Sequence, residues 1–227
     1  MIFFPHIPKA GGETLKQLFY WAFGKEKCLK IWDPAFGADY SVTQLVNEKD
    51  ISFDSYSAII GHLTFEEFLS VGSLNKMYLN GDIKVLSSVR DPIDRLISLY
   101  NYVCVNSKHP NHLHMRSLNP LEFIKSQKAN FQFEYLTVET GEGRVFAENM
   151  LLYPLSSSID MFKQDLEQLT GKSLKSPNLM NKTANFDSEF ELFDKNQIPD
   201  VELQKLKEKH SRDYEMLENA LSNVRAS

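Results

Sequence analysis

The 227-residue chain has two cysteines, Cys28 and Cys104, and neither sits in the close pair that a redox or zinc site requires. A disulfide-stapled secreted scaffold is thereby excluded, and a reduced, intracellular setting is the simplest reading, with a single disulfide left open. Positive charge is not in excess either. The chain carries 25 Lys and Arg against 30 Asp and Glu, a net charge of -5, so nucleic acid is not expected as the main partner. A local cationic pocket stays compatible with that balance. No apolar run approaches the roughly 20 residues that a membrane-spanning helix needs. The opening Met1-Ile2-Phe3-Phe4-Pro5-His6-Ile7-Pro8 lacks a basic region and a small-residue cleavage site, so it reads as a strand and not as a signal peptide. A soluble cytoplasmic protein, or a domain cut from something larger, is expected. Internal repeats and low-complexity tracts are also missing.

What is present is ordinary globular composition, 42% hydrophobic and 24% charged, in a length sufficient for one good-sized core. Short apolar runs alternate with helical periodicity in the first half. Ile2 to Ile7, Cys28 to Trp32, Tyr56 to Ile60 and Ile83 to Val89 read as strands, and Thr14 to Phe23 and Pro92 to Val105 as helices. Nearly continuous apolar strands alternating with helices predict a parallel sheet covered on both faces. The polar stretch Asn106 to Asn119 reads as an exposed loop. Beyond it the spacing predicts helices over Pro120 to Ser126, Gly143 to Leu152, Ile159 to Thr170 and Pro199 to Val224, with Leu151 to Leu155 as an alternative short strand. The last helix is expected to bury Leu203, Leu206, His210, Tyr214, Leu217 and Leu221. No linker divides the chain, so 1–227 is read as a single domain.

Two motifs carry chemistry. The first is Pro8-Lys9-Ala10-Gly11-Gly12-Glu13-Thr14, a tight loop between a strand and a helix. Gly11 and Gly12 let the backbone bend and approach a ligand without a Cβ in the way. The loop N–H groups and the positive end of the helix then face an anion. Lys9 adds a point charge, and Thr14 a hydroxyl that caps the helix or meets a phosphate oxygen. The lysine precedes the glycines, unlike the Gly-Lys-Ser/Thr order of nucleoside-triphosphate loops. The second motif runs Arg90-Asp91-Pro92-Ile93-Asp94-Arg95-Leu96-Ile97-Ser98-Leu99-Tyr100. Arg90 follows a buried strand, where open α/β sheets place their ligands, and Asp91 and Pro92 suit a helix start. Arg90 and Ser98 together are able to hold one phosphate; alone, Arg90 would be read as an ion pair with Asp91 or Asp94.

In combination the two motifs resemble the sulfotransferase family that uses 3′-phosphoadenosine 5′-phosphosulfate. His6-Ile7-Pro8-Lys9-Ala10-Gly11-Gly12 is similar to that family's 5′-phosphosulfate loop, and Arg90 with Ser98 to its 3′-phosphate motif. The resemblance is nearest to the carbohydrate type that includes heparan-sulfate and uronyl 2-O-sulfotransferases. Weaker similarity continues through Ala147 to Leu151 and Arg212 to Leu217. It implies a three-layer, P-loop-like α/β fold with a central parallel sheet and a helix-rich C-terminal half. It also implies a nucleotide cosubstrate and an acceptor hydroxyl, of a carbohydrate in the nearest branch.

By the same resemblance Lys9 is the catalytic cation at the bridging oxygen. His62, which ends the run Ser57-Ala58-Ile59-Ile60-Gly61, is the expected base, against the alternative of a histidine that only caps a strand. The related branch often has a second histidine two positions earlier, where this chain has Ile60. Glu13 departs from the threonine or serine common at its position, since a carboxylate next to a polyanion is unfavourable unless it points away. Lys182, in Asn181-Lys182-Thr183, is expected on a late loop over the nucleotide. Cofactor contacts are thus assigned to Lys9, Ala10, Gly11, Gly12, Glu13, Thr14, Arg90, Ser98 and Lys182, and no metal is expected. His6 is read as structural, and His109, His112 and His114 as a solvated loop. Two other functions stay open: a P-loop kinase or nucleotide hydrolase, and a domain that binds nucleotide or glycan without turnover.

Overall fold

Strand β1 (Ile2–Pro5) is apolar at every position because both of its faces are covered. In the computed structural model, which describes residues 1–32, 38–47, 51–148, 150–155, 159–177 and 189–226, it lies at the centre of a five-stranded parallel sheet. Its neighbours are β3 (Ala58–Gly61) and β4 (Lys84–Val89); β2 (Cys28–Ile31) and β7 (Leu151–Pro154) close the two edges, in the order β2-β3-β1-β4-β7. Pro5 pairs with Gly61 and Ile31 with Gly61, so three strands end level with one another.

Side-chain alternation sorts the core into two layers. Ile2 and Phe4 of β1 face helices α1 (Gly12–Phe23) and α9 (Ile159–Thr170), where Leu15, Leu18, Phe19, Phe162 and Leu166 fill the space. Phe3 faces the other way and stacks on Phe68 at 4.1 Å, in the layer built by α3 (Phe65–Ser70) and α4 (Gly72–Leu79). The remaining helices extend the fold from the β4 side. Helix α5 (Pro92–Val105) packs with α6 (His112–Ser117), α7 (Pro120–Ser126) and α10 (Asp200–Lys209). Helix α8 (Phe131–Leu136) and α11 (Ser211–Ala226) cover the loop after β1 through Tyr135, Leu136, Met216 and Ala220. A short helix, α2 (Val42–Asn47), completes the set. The expected parallel sheet with helices on both faces is present. Among the described residues, no helix is long and apolar enough to cross a membrane.

Four local expectations are corrected. Gly143 to Leu152 is not a helix. Thr137–Thr140 and Gly143–Phe146 form an antiparallel hairpin, β5–β6, followed by β7. The β-branched Thr137, Val138 and Thr140 favour extension, and Gly143 turns the chain at φ 114, outside helical space. The polar stretch after α5 is not all loop, since Met115 buries into the α5 cluster and holds α6 in place. Pro199 to Val224 is two helices, broken at His210, whose ring is fully buried and accepts the Asn130 N–H at Nδ1 (3.3 Å). The buried stripe is accordingly Leu206, His210, Asp213, Met216 and Ala220, whereas Leu203, Tyr214, Leu217 and Leu221 are half-buried. Helix α3 was legible and unread: Thr64 and Glu67 form a capping box, the Glu67 N–H donating to Thr64 Oγ1 at 3.1 Å and the Thr64 N–H to Glu67 Oε2 at 2.8 Å.

Phe162 joins α9 to the sheet, its ring 5.7 Å from Phe4, 5.5 Å from Phe19 and 4.8 Å from Tyr153, with no exposed surface. Phe162→Ala is expected to lower stability by about 3–5 kcal/mol at unchanged denaturant m-value. A loss below about 1 kcal/mol in a urea titration would show that α9 is not part of this core.

Candidate active site

The order β2-β3-β1-β4-β7 reverses direction at the β1–β4 pair, and ligands of open α/β sheets bind beyond the carboxyl ends of the strands at such a point. The loop from His6 to Gly11 leaves β1 there, and Arg90 leaves β4. Two serines inside the apolar β4 run hold the loop down. Ser87 Oγ donates to the Pro5 carbonyl (2.8 Å) and Ser88 Oγ to the Ala10 carbonyl (2.6 Å), both side chains being buried. Buried hydroxyls in such a strand were the sequence signal for this tie, and sequence reasoning passed over them.

The loop turns through two left-handed residues, Lys9 at φ 68 and Gly11 at φ 83. Gly11 is the N-cap of α1 and no side chain caps that end, so the first-turn amides face outward from the loop. The two glycines have different reasons. Gly11 needs its positive φ, and a Cβ there would also lie 2.2 Å from Leu155 Cδ1. At Gly12 the space is taken from inside: a Cβ would lie 1.9 Å from His6 Cδ2. The second glycine therefore admits the His6 ring under the helix start, where the sequence reading gave it to ligand approach. Thr14 is buried in the first turn, and its N–H donates to the Gly11 carbonyl at 3.0 Å.

Glu13 is accounted for by its own helix. Its carboxylate accepts from Lys16 Nζ at 2.6 Å, one turn on, and so leaves no unpaired negative charge at the loop. Lys16 in turn lies 4.8 Å from the Trp32 ring centroid. Lys9 Nζ rests 3.8 Å above the ring of Tyr102, a residue of α5 that sequence reasoning did not single out. Burial first, and then the nearby Arg90, lower the Lys9 pKa to about 8 against the opposing pull of Glu13. Arg90 Nη1 donates to the Lys9 carbonyl at 3.2 Å, so the two sequence motifs are joined by a direct hydrogen bond. Ser98 is half-buried on α5, and among the described residues its hydroxyl makes no hydrogen bond. Lys182 lies outside the described residues.

His62 follows β3, one residue past its pairing with β2, and its N–H donates to the Ile31 carbonyl at 2.7 Å. Its side chain has an open edge. The His6 N–H donates to the Gly61 carbonyl at 2.7 Å, which carries the β1–β3 ladder one rung further. The two imidazoles meet edge to face with centroids 4.8 Å apart. A second imidazole thus stands next to His62, supplied by β1 and not from two positions earlier on β3. The His62 pKa is lowered, first by the protein mass packed around the ring; Lys16 adds to this and Glu13 opposes it. His6 is lowered well below the ordinary value, by burial first and then by His62, Lys16 and Lys9. Both shifts favour the neutral imidazole. His109 and His112 lie elsewhere. His109 Nδ1 accepts the Asn111 N–H (3.1 Å), His112 Nδ1 lies 3.0 Å from the Val103 carbonyl, and no metal-holding cluster occurs among the described residues.

Gly12→Ala is expected to lower the melting temperature through overpacking worth about 1–3 kcal/mol, because the buried His6 ring has no free direction to move. His6→Ala in the same chain should recover much of that loss. Additive effects in this double-mutant cycle would show that the glycine and the ring do not compete for one space.

The arrangement sets a lysine, an arginine and an accessible histidine on one sheet edge. A family model described as "Sulfotransferase family" matches residues 1–141, which hold the loop, His62, Arg90 and Ser98. No curated protein matches the chain in sequence. Among solved structures the chain is similar to the mouse sulfotransferase SULT7A1 complexed with PAP, at 15% identity and a TM-score of 0.39, over 90% of this chain and 62% of that one. That likeness is too distant to carry weight, and the chain spans less than two thirds of the length of that protein. The family match covers more than half of the residues and includes both sequence motifs: the chain belongs to the sulfotransferase family.

Proposed function

We propose that this protein transfers a sulfuryl group from 3′-phosphoadenosine 5′-phosphosulfate to an acceptor hydroxyl, of a carbohydrate by its resemblance to the 2-O-sulfotransferases. The observation that carries the reading is the hydrogen bond from Arg90 Nη1 to the Lys9 carbonyl, which sets the two phosphate motifs side by side at the switch point of the sheet. The residues fit such a nucleotide. Uncapped first-turn amides and Lys9 suit the 5′ end, while Arg90 and the half-buried Ser98 hydroxyl suit the 3′-phosphate. The first helical turn, with Ala10, Gly11, Gly12, Glu13 and Thr14, lines that end; Lys182 is assigned to the closing loop from sequence alone. Elements from both halves pack on one sheet, which supports a single sulfotransferase-like domain over 1–227. A cytoplasmic setting belongs to the same reading.

When bound, the nucleotide supplies the activated sulfuryl group. Lys9 places a cation at the oxygen that gains charge on transfer, an effect commonly worth about 3 kcal/mol or more. His62, neutral and accessible, takes the proton of the acceptor hydroxyl at the ring nitrogen that faces the opening. Tyr102 and Arg90 hold the ammonium and its carbonyl in one place, so little reorganisation accompanies the reaction.

Adenosine 3′,5′-bisphosphate is expected to raise the melting temperature, and ATP with magnesium is not; the opposite pattern would overturn the sulfotransferase reading in favour of a kinase or hydrolase. Arg90→Ala should weaken nucleotide binding by about 1.5–3 kcal/mol, measured by calorimetry. With a sulfated-product assay on glycan acceptors, Lys9→Ala and His62→Ala should each lower kcat by about 10²-fold or more. Full activity in His62→Ala would remove it as the base. Two signs follow for pH. The value of kcat/KM should rise with pH as His62 loses its proton below 6.5, and fall above about 8 as Lys9 loses the charge that the anion requires. The acid limb should vanish in His62→Ala, and a profile flat from pH 5 to 10 would contradict both assignments.

A further inference from the structure

Arg90 stands one residue beyond β4, and on one side its peptide group is paired with a side chain. The Arg90 N–H donates to Gln132 Oε1 at 3.0 Å, and Gln132 Nε2 donates to the Arg90 carbonyl at 2.7 Å. A primary amide presents the donor and acceptor of a peptide edge, so Gln132 serves as one more rung of strand pairing. It does so with no exposed surface.

Gln132 is held from the far end of the chain. It opens α8, a helix without a side-chain cap of its own, preceded by Asn130 in the left-handed region at φ 50. The cap comes from α11. Asp213, also fully buried, accepts the Phe133 N–H at 2.7 Å and the Gln132 N–H at a longer 3.4 Å. Asn130 is fastened to the same helix pair, its N–H donating to His210 Nδ1 (3.3 Å) and its Oδ1 accepting the Arg212 N–H (3.0 Å). Arg95 of α5, buried over the Phe131 ring at 4.6 Å, supplies the opposing charge that Asp213 needs in such a site. Asp213 is thereby connected through the α8 terminus and the Gln132 amide to the Arg90 peptide.

We propose that Gln132 is the positioning residue for the Arg90 guanidinium, and that Asp213 of the C-terminal helix locks it. This rests on the reading of Arg90 as the 3′-phosphate ligand. The physical reason is directional. Fixing both polar groups of the Arg90 peptide fixes the Cα–Cβ bond, and a two-pronged phosphate contact tolerates little error in where the fork begins. Without Gln132, a part-buried N–H and C=O lose their partners and turn elsewhere to recover them.

The test compares Kd values for adenosine 3′,5′-bisphosphate and adenosine 5′-monophosphate, whose ratio isolates the 3′-phosphate. Gln132→Met keeps the length of the side chain and removes both hydrogen bonds. It should weaken bisphosphate binding about tenfold and leave the monophosphate unchanged, so that the ratio moves toward that of Arg90→Ala. Asp213→Asn keeps the volume and should shift the ratio in the same direction, and it gives the reading if Gln132→Met fails to melt cooperatively. Should either folded variant keep the wild-type ratio, or lose affinity for both nucleotides equally, Gln132 is only a packing residue and the proposal is wrong. A wild-type protein that does not prefer the bisphosphate would instead overturn the assignment of Arg90, and this proposal with it.

Discussion

Strand β1 has paired neighbours along both edges and packed helices on both faces, and this enclosure is what the site depends on. A strand so held has no freedom of register, since a one-residue slip would send Phe3 and Phe4 to the wrong layers. Its last rungs set the level at which β2, β3 and β1 all end. His62, His6 and the phosphate loop inherit their positions from that common edge. The chemistry is therefore placed by main-chain pairing, and the side chains need only short reaches from it.

Much of this was legible because buried parallel strands write themselves as apolar runs and because glycine-rich turns and an Arg-Asp-Pro helix start have local causes. The strands around β1, β3 and β4, helices α1 and α5, and the two motifs followed from such causes. The failures share a different origin. The run from Gly143 to Leu152 reads as a helix by apolar spacing, while Gly143 and the β-branched Thr137, Val138 and Thr140 before it favour a hairpin. His210 interrupts a helix that its own sequence would continue, because a distant backbone N–H claims its ring. The neighbours that shape the site, His6 against His62, Tyr102 under Lys9 and Gln132 against Arg90, lie on different elements. No spacing rule joins them, since tertiary packing alone brings them together. Glu13 is the reverse case: its partner Lys16 sits at ordinary helical spacing and was there to be read.

The two halves of the molecule also divide the work. Every described residue proposed for the chemistry lies in the first half, and the family match ends at residue 141. The C-terminal helices act from behind: Met216 and Ala220 pack with Ile7 and Ala10, and Asp213 caps α8. Support from behind suits a site in which an anion must be met by several donors at once. Donors that are already fixed lose little freedom when the ligand arrives.

The resting place of Lys9 has a consequence for how the pocket meets ions in general. Its ammonium lies on the face of Tyr102, half-buried, and that burial lowers its pKa. A fully hydrated lysine attracts any anion weakly and over a long range, and dissolved salt screens that attraction. On an aromatic surface inside the protein the same charge acts over a short distance and against a polarisable wall. A small monovalent anion such as chloride makes a single contact there, which returns little of the hydration it gives up. An anion that also reaches Arg90 and the helix amides replaces its hydration at several points together. On this aromatic shelf the Lys9 charge thus counts most for a ligand large enough to meet Arg90 and the helix amides as well.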